Sequence, residues 1–221
     1  MARNKLLVEG KNDQIVISTL CQHHDIWAEN KENLKKPPLG RAFDFECKNK
    51  GNDDKLLDAD SLSAELKASG VEAMGIVVDA DSDLPARWRE VRERVRNLGY
   101  ETVPFQPDPT GTIIISNELP TIGVWLMPDN RIEGMLEHFV ELLIPPGDAL
   151  WPHAQKCTLE IADTDRPFAV VHLQKAQIHT WLAWREVPGV PMGTAIQSQW
   201  LDANSPQALL FVNWLKRLFK I

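Results

Sequence analysis

The sequence predicts an α/β protein with a mainly parallel sheet, helices on both faces, and a helical C-terminal extension. Three observations carry this. Short apolar runs alternate with helix-length stretches up to about residue 143, the pattern of strand–helix–strand crossovers. The runs at 5–8 and 74–78 are short and continuous, as buried strands are. Beyond residue 147 the character changes to helical spacing rich in tryptophan (Trp151, Trp181, Trp184, Trp200, Trp214). These limits divide the chain into an α/β domain, 1–147, and a helical extension, 148–221, packed on it.

Each element has a local reason. Lys5 to Val8 is a strand that stops at Glu9-Gly10. Asn12 or Asp13 can cap a helix over 14–25, with Ile15, Leu20 and Cys21 inward. Residues 28–41 are polar, contain Pro37-Pro38 and Gly40, and read as a loop. Phe43 and Phe45 alternate with polar residues in a strand over 42–47. After a loop at 49–54, a helix runs to about Ala68 and stops at Gly70. Val71 to Val78 is the third strand, ending in Asp79-Ala80-Asp81-Ser82-Asp83. Pro85 opens a helix that ends before Gly99. Strand-like pieces follow at 101–105, 112–116 and 122–127, then a helix over 132–143 before Pro145-Pro146. Helical spacing returns at 168–185 and 206–219.

Composition narrows the function classes. With 221 residues the chain can bury a core without staples. A net charge of −7 argues against metal-free binding of nucleic acid by charge neutralisation alone. It leaves room for an enzyme whose bound cations bridge carboxylates to phosphates. Three dispersed cysteines, with no CxxC pair and no zinc-like spacing, fit a reducing cytoplasm. No apolar stretch approaches the roughly 18 residues of a membrane span, so no membrane partner is expected.

The chemistry sits at two strand ends. Glu9 closes the first strand, and Asp79, Asp81 and Asp83 follow the third. Ligands of open parallel sheets bind outside the carboxyl ends of strands. If the two strands are neighbours, Glu9 and Asp79 meet there. In an extended segment the three aspartates would also point one way. Carboxylates so crowded repel, and a hard cation relieves them. Oxygen-only donors favour Mg²⁺ or Mn²⁺ over zinc. The spacing Asp79, Asp81, Asp83 and Glu90 also matches part of an EF-hand loop. Leu84 stands where that loop requires glycine, and a strand precedes it, which argues against calcium.

Leu6-Leu7-Val8-Glu9-Gly10-Lys11-Asn12-Asp13, followed by Gly75-Ile76-Val77-Val78-Asp79-Ala80-Asp81, resembles the TOPRIM domain over about residues 4–128. That superfamily includes topoisomerases, bacterial primases and OLD-type nucleases. Residues 124–130, Gly134 to Glu137, and Lys175 to Trp184 resemble standalone proteins similar to the nuclease half of OLD proteins. The resemblance implies Glu9 as metal ligand or general acid/base, and Asp79 and Asp81 as metal ligands. It further implies Asp13 and Glu137 as additional acidic ligands and Lys175 as a catalytic lysine.

The expected function is therefore Mg²⁺- or Mn²⁺-dependent phosphoryl transfer, foremost cleavage of DNA or RNA. The partner would be nucleic acid reached through the bound metal, with a second copy of the chain or another protein as further candidates. The alternatives are primase-like nucleotidyl transfer and a non-catalytic TOPRIM module. The six histidines are scattered and read as structural, and the tryptophans as core. The arginine run from Arg87 to Arg96, interleaved with Glu90 and Glu93, reads as a solvated helix face whose first turn lies near the acidic loop.

Overall fold

A computed structural model describes residues 4–30 and 36–221. In chain order the α/β part contains β1 (Asn4–Val8), α1 (Lys11–His23), β2 (Ala28–Glu29), β3 (Phe45–Asn49), α2 (Asp53–Leu56), α3 (Ala59–Leu66), β4 (Ala73–Asp79), α4 (Leu84–Asn97), β5 (Thr112–Ile114) and β6 (Thr121–Met127). Then come α5 (Leu136–Glu141), α6 (Leu150–Leu159), a 3₁₀ turn at Val170–His172, α7 (Leu173–Ala183), α8 (Met192–Gln197) and α9 (Pro206–Phe219). The sheet order is β2-β3-β1-β4-β6-β5, parallel except for the β5–β6 pair. This is the expected α/β architecture.

Side chains of successive strand residues point to opposite faces, and both faces are covered. Leu6, Val8, Val77, Trp125 and Met127 face one way, against Ile17 of α1, Ile178 of α7 and Phe211 of α9. Leu7, Ile76, Val78, Val124 and Leu126 face the other way, against Leu56 of α2, Leu62 of α3 and Val91 of α4. The first core mixes residues from before and after position 147.

Helix α9 comes unusually close to the sheet, and two glycines permit it. Gly75 of β4 pairs with Gly123 of β6. A Cβ on Gly123 would lie 2.5 Å from Leu218, and one on Gly75 would lie 2.5 Å from Leu6 and 3.1 Å from Leu218. Trp125, Phe211 and Trp214 pack beside this contact at ring separations of 5.0 to 5.6 Å.

Several local expectations change. Residues 101–105 form no strand; Pro104 has no N–H for a ladder, and side chains of α4 hold the segment instead. The Trp88 indole donates to the Phe105 carbonyl at 3.0 Å, and Arg92 donates to that of Val103 at 3.4 Å. Residues 28–29, expected in a loop, pair with β3, while 31–35 of that loop lie outside the described residues. The second helix divides into α2 and α3, capped by Asn52 and Asp58. Helix α1 begins at Lys11, so Asp13 sits inside its first turn rather than at the cap. The helix expected from 132 begins at Leu136, because Gly134 takes φ +144° and its carbonyl accepts from the Asp81 N–H. Among the described residues no helix is long and apolar enough to cross a membrane.

Candidate metal centre

β1 and β4 are parallel neighbours, with Val8 opposite Val77. Their carboxyl ends therefore deliver Glu9 and Asp79 side by side. The Asp79 backbone N–H donates to Glu9 Oε1 at 2.7 Å across a sequence gap of 70. The Leu136 N–H, at the start of α5, donates to Asp79 Oδ1 at 3.0 Å. The Gly10 N–H donates to Asp13 Oδ2 at 3.2 Å, and the Gly51 N–H, just beyond β3, donates to the Glu9 carbonyl at 2.7 Å. Chain from the ends of β1, β3 and β4 and from the start of α5 thus converges at one edge. Each backbone bond to a carboxylate uses one of its two oxygens.

A cavity of about 440 Å³ opens there. Glu9, Asp13, Asp79, Asp81, Glu137 and Lys175 all line it. Asp13 and Glu137 are buried, at 8% and 4% exposure, and Lys175 Nζ lies 3.6 Å from Glu137 Oε1. Every expected site residue except Asp83 reaches this space. Asp83 instead caps α4, its Oδ1 accepting from the Ala86 N–H at 2.8 Å. The alternation expected of an extended segment fails because Asp81 takes φ +53°, a left-handed turn that redirects the chain.

The charges are poorly compensated. Burial pushes the Glu9 carboxyl up to about 7; the Asp79 N–H opposes the shift, and the charges of Asp13, Asp53 and Asp81 add to it. Burial also raises Asp13 to about 6 against its backbone hydrogen bonds, with Glu137 adding and Lys175 subtracting. Asp79 stands well above the usual carboxylate range through desolvation and then the Glu9 charge.

Five carboxylates around one cavity suit a hard divalent cation in kind: all donors are oxygen, and their mutual repulsion is what such an ion relieves. Among the described residues, however, no three His, Cys, Asp or Glu side chains are gathered into a finished ligand set. Closing them on one ion requires side-chain rotation. Asp81 already has a cationic partner, its Oδ2 accepting from Arg87 of α4.

Asn52 and His172 also line the cavity, and sequence reasoning missed both. Asn52 has a readable signal, a cap residue just after a strand. His172 has none, because it arrives from the extension through packing of α7 against α5. Arg87, expected on a solvated helix face whose first turn lies near the acidic loop, instead gives its guanidinium to Asp53, Asp81 and Glu90.

Fold and site together define an α/β protein with a carboxylate-lined cavity at the carboxyl edge of a parallel sheet. The chain belongs to the family described as protein of unknown function DUF3226, whose profile matches residues 3–220. No curated protein and no solved structure matches it.

Proposed function

We propose that this chain is a Mg²⁺- or Mn²⁺-dependent phosphoryl-transfer protein of TOPRIM type, and within that class a nuclease acting on DNA or RNA. The observation that carries the reading is the convergence of Glu9, Asp13, Asp79, Asp81, Glu137 and Lys175 on one cavity, with the Glu9 carboxylate accepting from the Asp79 backbone N–H at 2.7 Å. The TOPRIM resemblance assigns roles to these same six residues, although they are spread over more than 160 positions.

A bound divalent cation supplies neutralisation of phosphate charge and an acidified water. The chain's own groups do the rest. Asp13, Asp79, Asp81 and Glu137 are the candidate oxygen donors. Glu9, which the resemblance casts as metal ligand or general acid/base, lines the same cavity with its Oε1 held by the Asp79 backbone N–H. Lys175 brings a positive charge to the same cavity, where it can offset charge that develops on a phosphoryl oxygen. Its distance of 3.6 Å from buried Glu137 tethers the ammonium there.

The test incubates purified protein with plasmid DNA and with single-stranded DNA and RNA oligonucleotides, with and without Mg²⁺ or Mn²⁺. Metal-dependent cleavage that disappears in Glu9→Gln and in Asp81→Asn is the expected result. Unchanged activity in both variants, or no cleavage of any substrate by the wild type, overturns the proposal. Primer synthesis from nucleoside triphosphates in the same preparation would move the chemistry to nucleotidyl transfer.

A further inference from the structure

One cation of the chain already engages a carboxylate at the rim of the acidic cavity. Arg87 lies in the first turns of α4, and its side chain is only 12% exposed. Its guanidinium serves three carboxylates: Nη2 reaches Asp53 Oδ2 at 2.9 Å and also Asp81 Oδ2, while Nη1 reaches Glu90 Oε2 at 2.9 Å. Arg87 does not line the cavity, whereas Asp81 does. Asp81 thus stands at the rim, lining the cavity while its Oδ2 accepts from Arg87. Its backbone cannot follow, because its N–H is held by the Gly134 carbonyl at 2.9 Å and its φ is +53°. Only the side chain is left to choose between partners. Charge-assisted bonds of this kind are strong enough to decide such a choice, and the planar fork of arginine suits shared carboxylates.

We propose that Arg87 is a built-in counter-cation for Asp81 in the metal-free protein, so that a metal ion must compete with the guanidinium for that carboxylate. The proposal rests on the metal-site reading above and adds a positioning residue to it. Arg87 keeps the cluster tolerable without metal and sets the affinity of the site through Asp81. Asp53 and Glu90 remain to hold the guanidinium once Asp81 leaves, so release strands no buried charge.

The test is a Mn²⁺ titration, followed by calorimetry or by the spin-resonance signal of free Mn²⁺. It is run on the full chain, Arg87→Gln, Asp81→Asn and the double variant, each checked for a cooperative thermal transition. Arg87→Gln is expected to bind Mn²⁺ roughly tenfold more tightly, the scale of one charge-assisted hydrogen bond. In the Asp81→Asn background the same change is expected to leave affinity unaltered. Arg87→Lys, which keeps the charge but loses the fork, should fall between wild type and Arg87→Gln, and it serves if the glutamine variant does not fold. An equal gain in both backgrounds overturns the proposal, because only net charge would then matter. Weaker binding by Arg87→Gln also overturns it, since Arg87 would then be presenting Asp81 to the ion. If wild type binds Mn²⁺ and Arg87→Gln changes nothing, the exchange alone fails. If none of the four proteins binds Mn²⁺, the metal reading fails and the exchange with it.

Discussion

Glu65 and Glu9, both beside β1, are treated in opposite ways. Lys5 Nζ of that strand lies 2.6 Å from Glu65 Oε2, and Lys48 and Lys50 close on the same carboxylate at 3.0 and 3.3 Å. Desolvation acts to raise Glu65, but hydrogen bonds and charge from Lys5 and Lys48 pull it down to about 2. At the carboxyl end Glu9 shares its cavity with four other carboxylates and rises to about 7. Desolvation raises both, and what reverses the sign at Glu65 is its lysine partners. Three lysines around one acid make a structural anchor. Around the Glu9 cavity burial and mutual repulsion raise Glu9, Asp13 and Asp79, a cost to the metal-free fold of the kind that stability trades against function.

The sharpest way to break the comparison is a pair of matched substitutions. Glu9→Gln is expected to lower metal-dependent cleavage about 10²- to 10⁴-fold, the range of a general acid/base group. Glu65→Gln should leave the cleavage rate of the folded protein unchanged. Equal rates for Glu9→Gln and wild type would end the contrast at once.

Metal addition comes next. An ion that binds only the folded chain stabilises it by about 2.7 kcal/mol at a hundredfold excess over Kd. Thermal unfolding with saturating Mg²⁺ or Mn²⁺ should move up by several degrees, reverse with EDTA, and not move in Asp79→Asn. A third measurement addresses the anchor. Denaturant unfolding of Glu65→Gln should show a loss of about 1–3 kcal/mol, because three ammonium groups lose a charged partner. No loss would mean that the lysines are satisfied by water.

The smallest expected effect is the dependence on pH. Unfolded, Glu9 titrates near 4.5; folded, it titrates near 7. Between those values the unfolded chain has released a proton that the folded chain keeps, so the metal-free fold loses stability as pH rises. Asp13 acts in the same direction between 3.8 and about 6. Glu65 acts in the opposite direction: its contribution is present above 4.5 and fades as pH falls toward 2. Metal-free Glu9→Gln should therefore lose about 1–2 kcal/mol less than wild type from pH 5 to 7. Parallel stability curves would show that Glu9 carries no such penalty.

Legibility followed how local the cause was. β1, β4 and β6 announce themselves by apolar runs bounded by turn residues, and Glu9, Asp79 and Asp81 by standing where those runs stop. Thr102, Val103 and Phe105 have strand-like character, but Pro104 and the side chains of α4 outweigh it. Two-residue β2 is too short to show a period. Asp83 was misplaced because nothing in Asp79-Ala80-Asp81-Ser82-Asp83 signals the positive φ at Asp81; the Gly134 carbonyl, 53 residues away, accepts the Asp81 N–H and stabilises that turn.

By itself the sequence determined the α/β class, the buried strands and which carboxylates stand at their ends, since periodicity and chain breakers act over a few residues. The tertiary structure alone decided that β1 lies beside β4, that Glu137, Lys175 and His172 come to Glu9 from distant helices, and that Arg87 claims Asp81. Those outcomes depend on strand order, helix packing and competition for partners through space, and such energies have no expression in neighbouring residues.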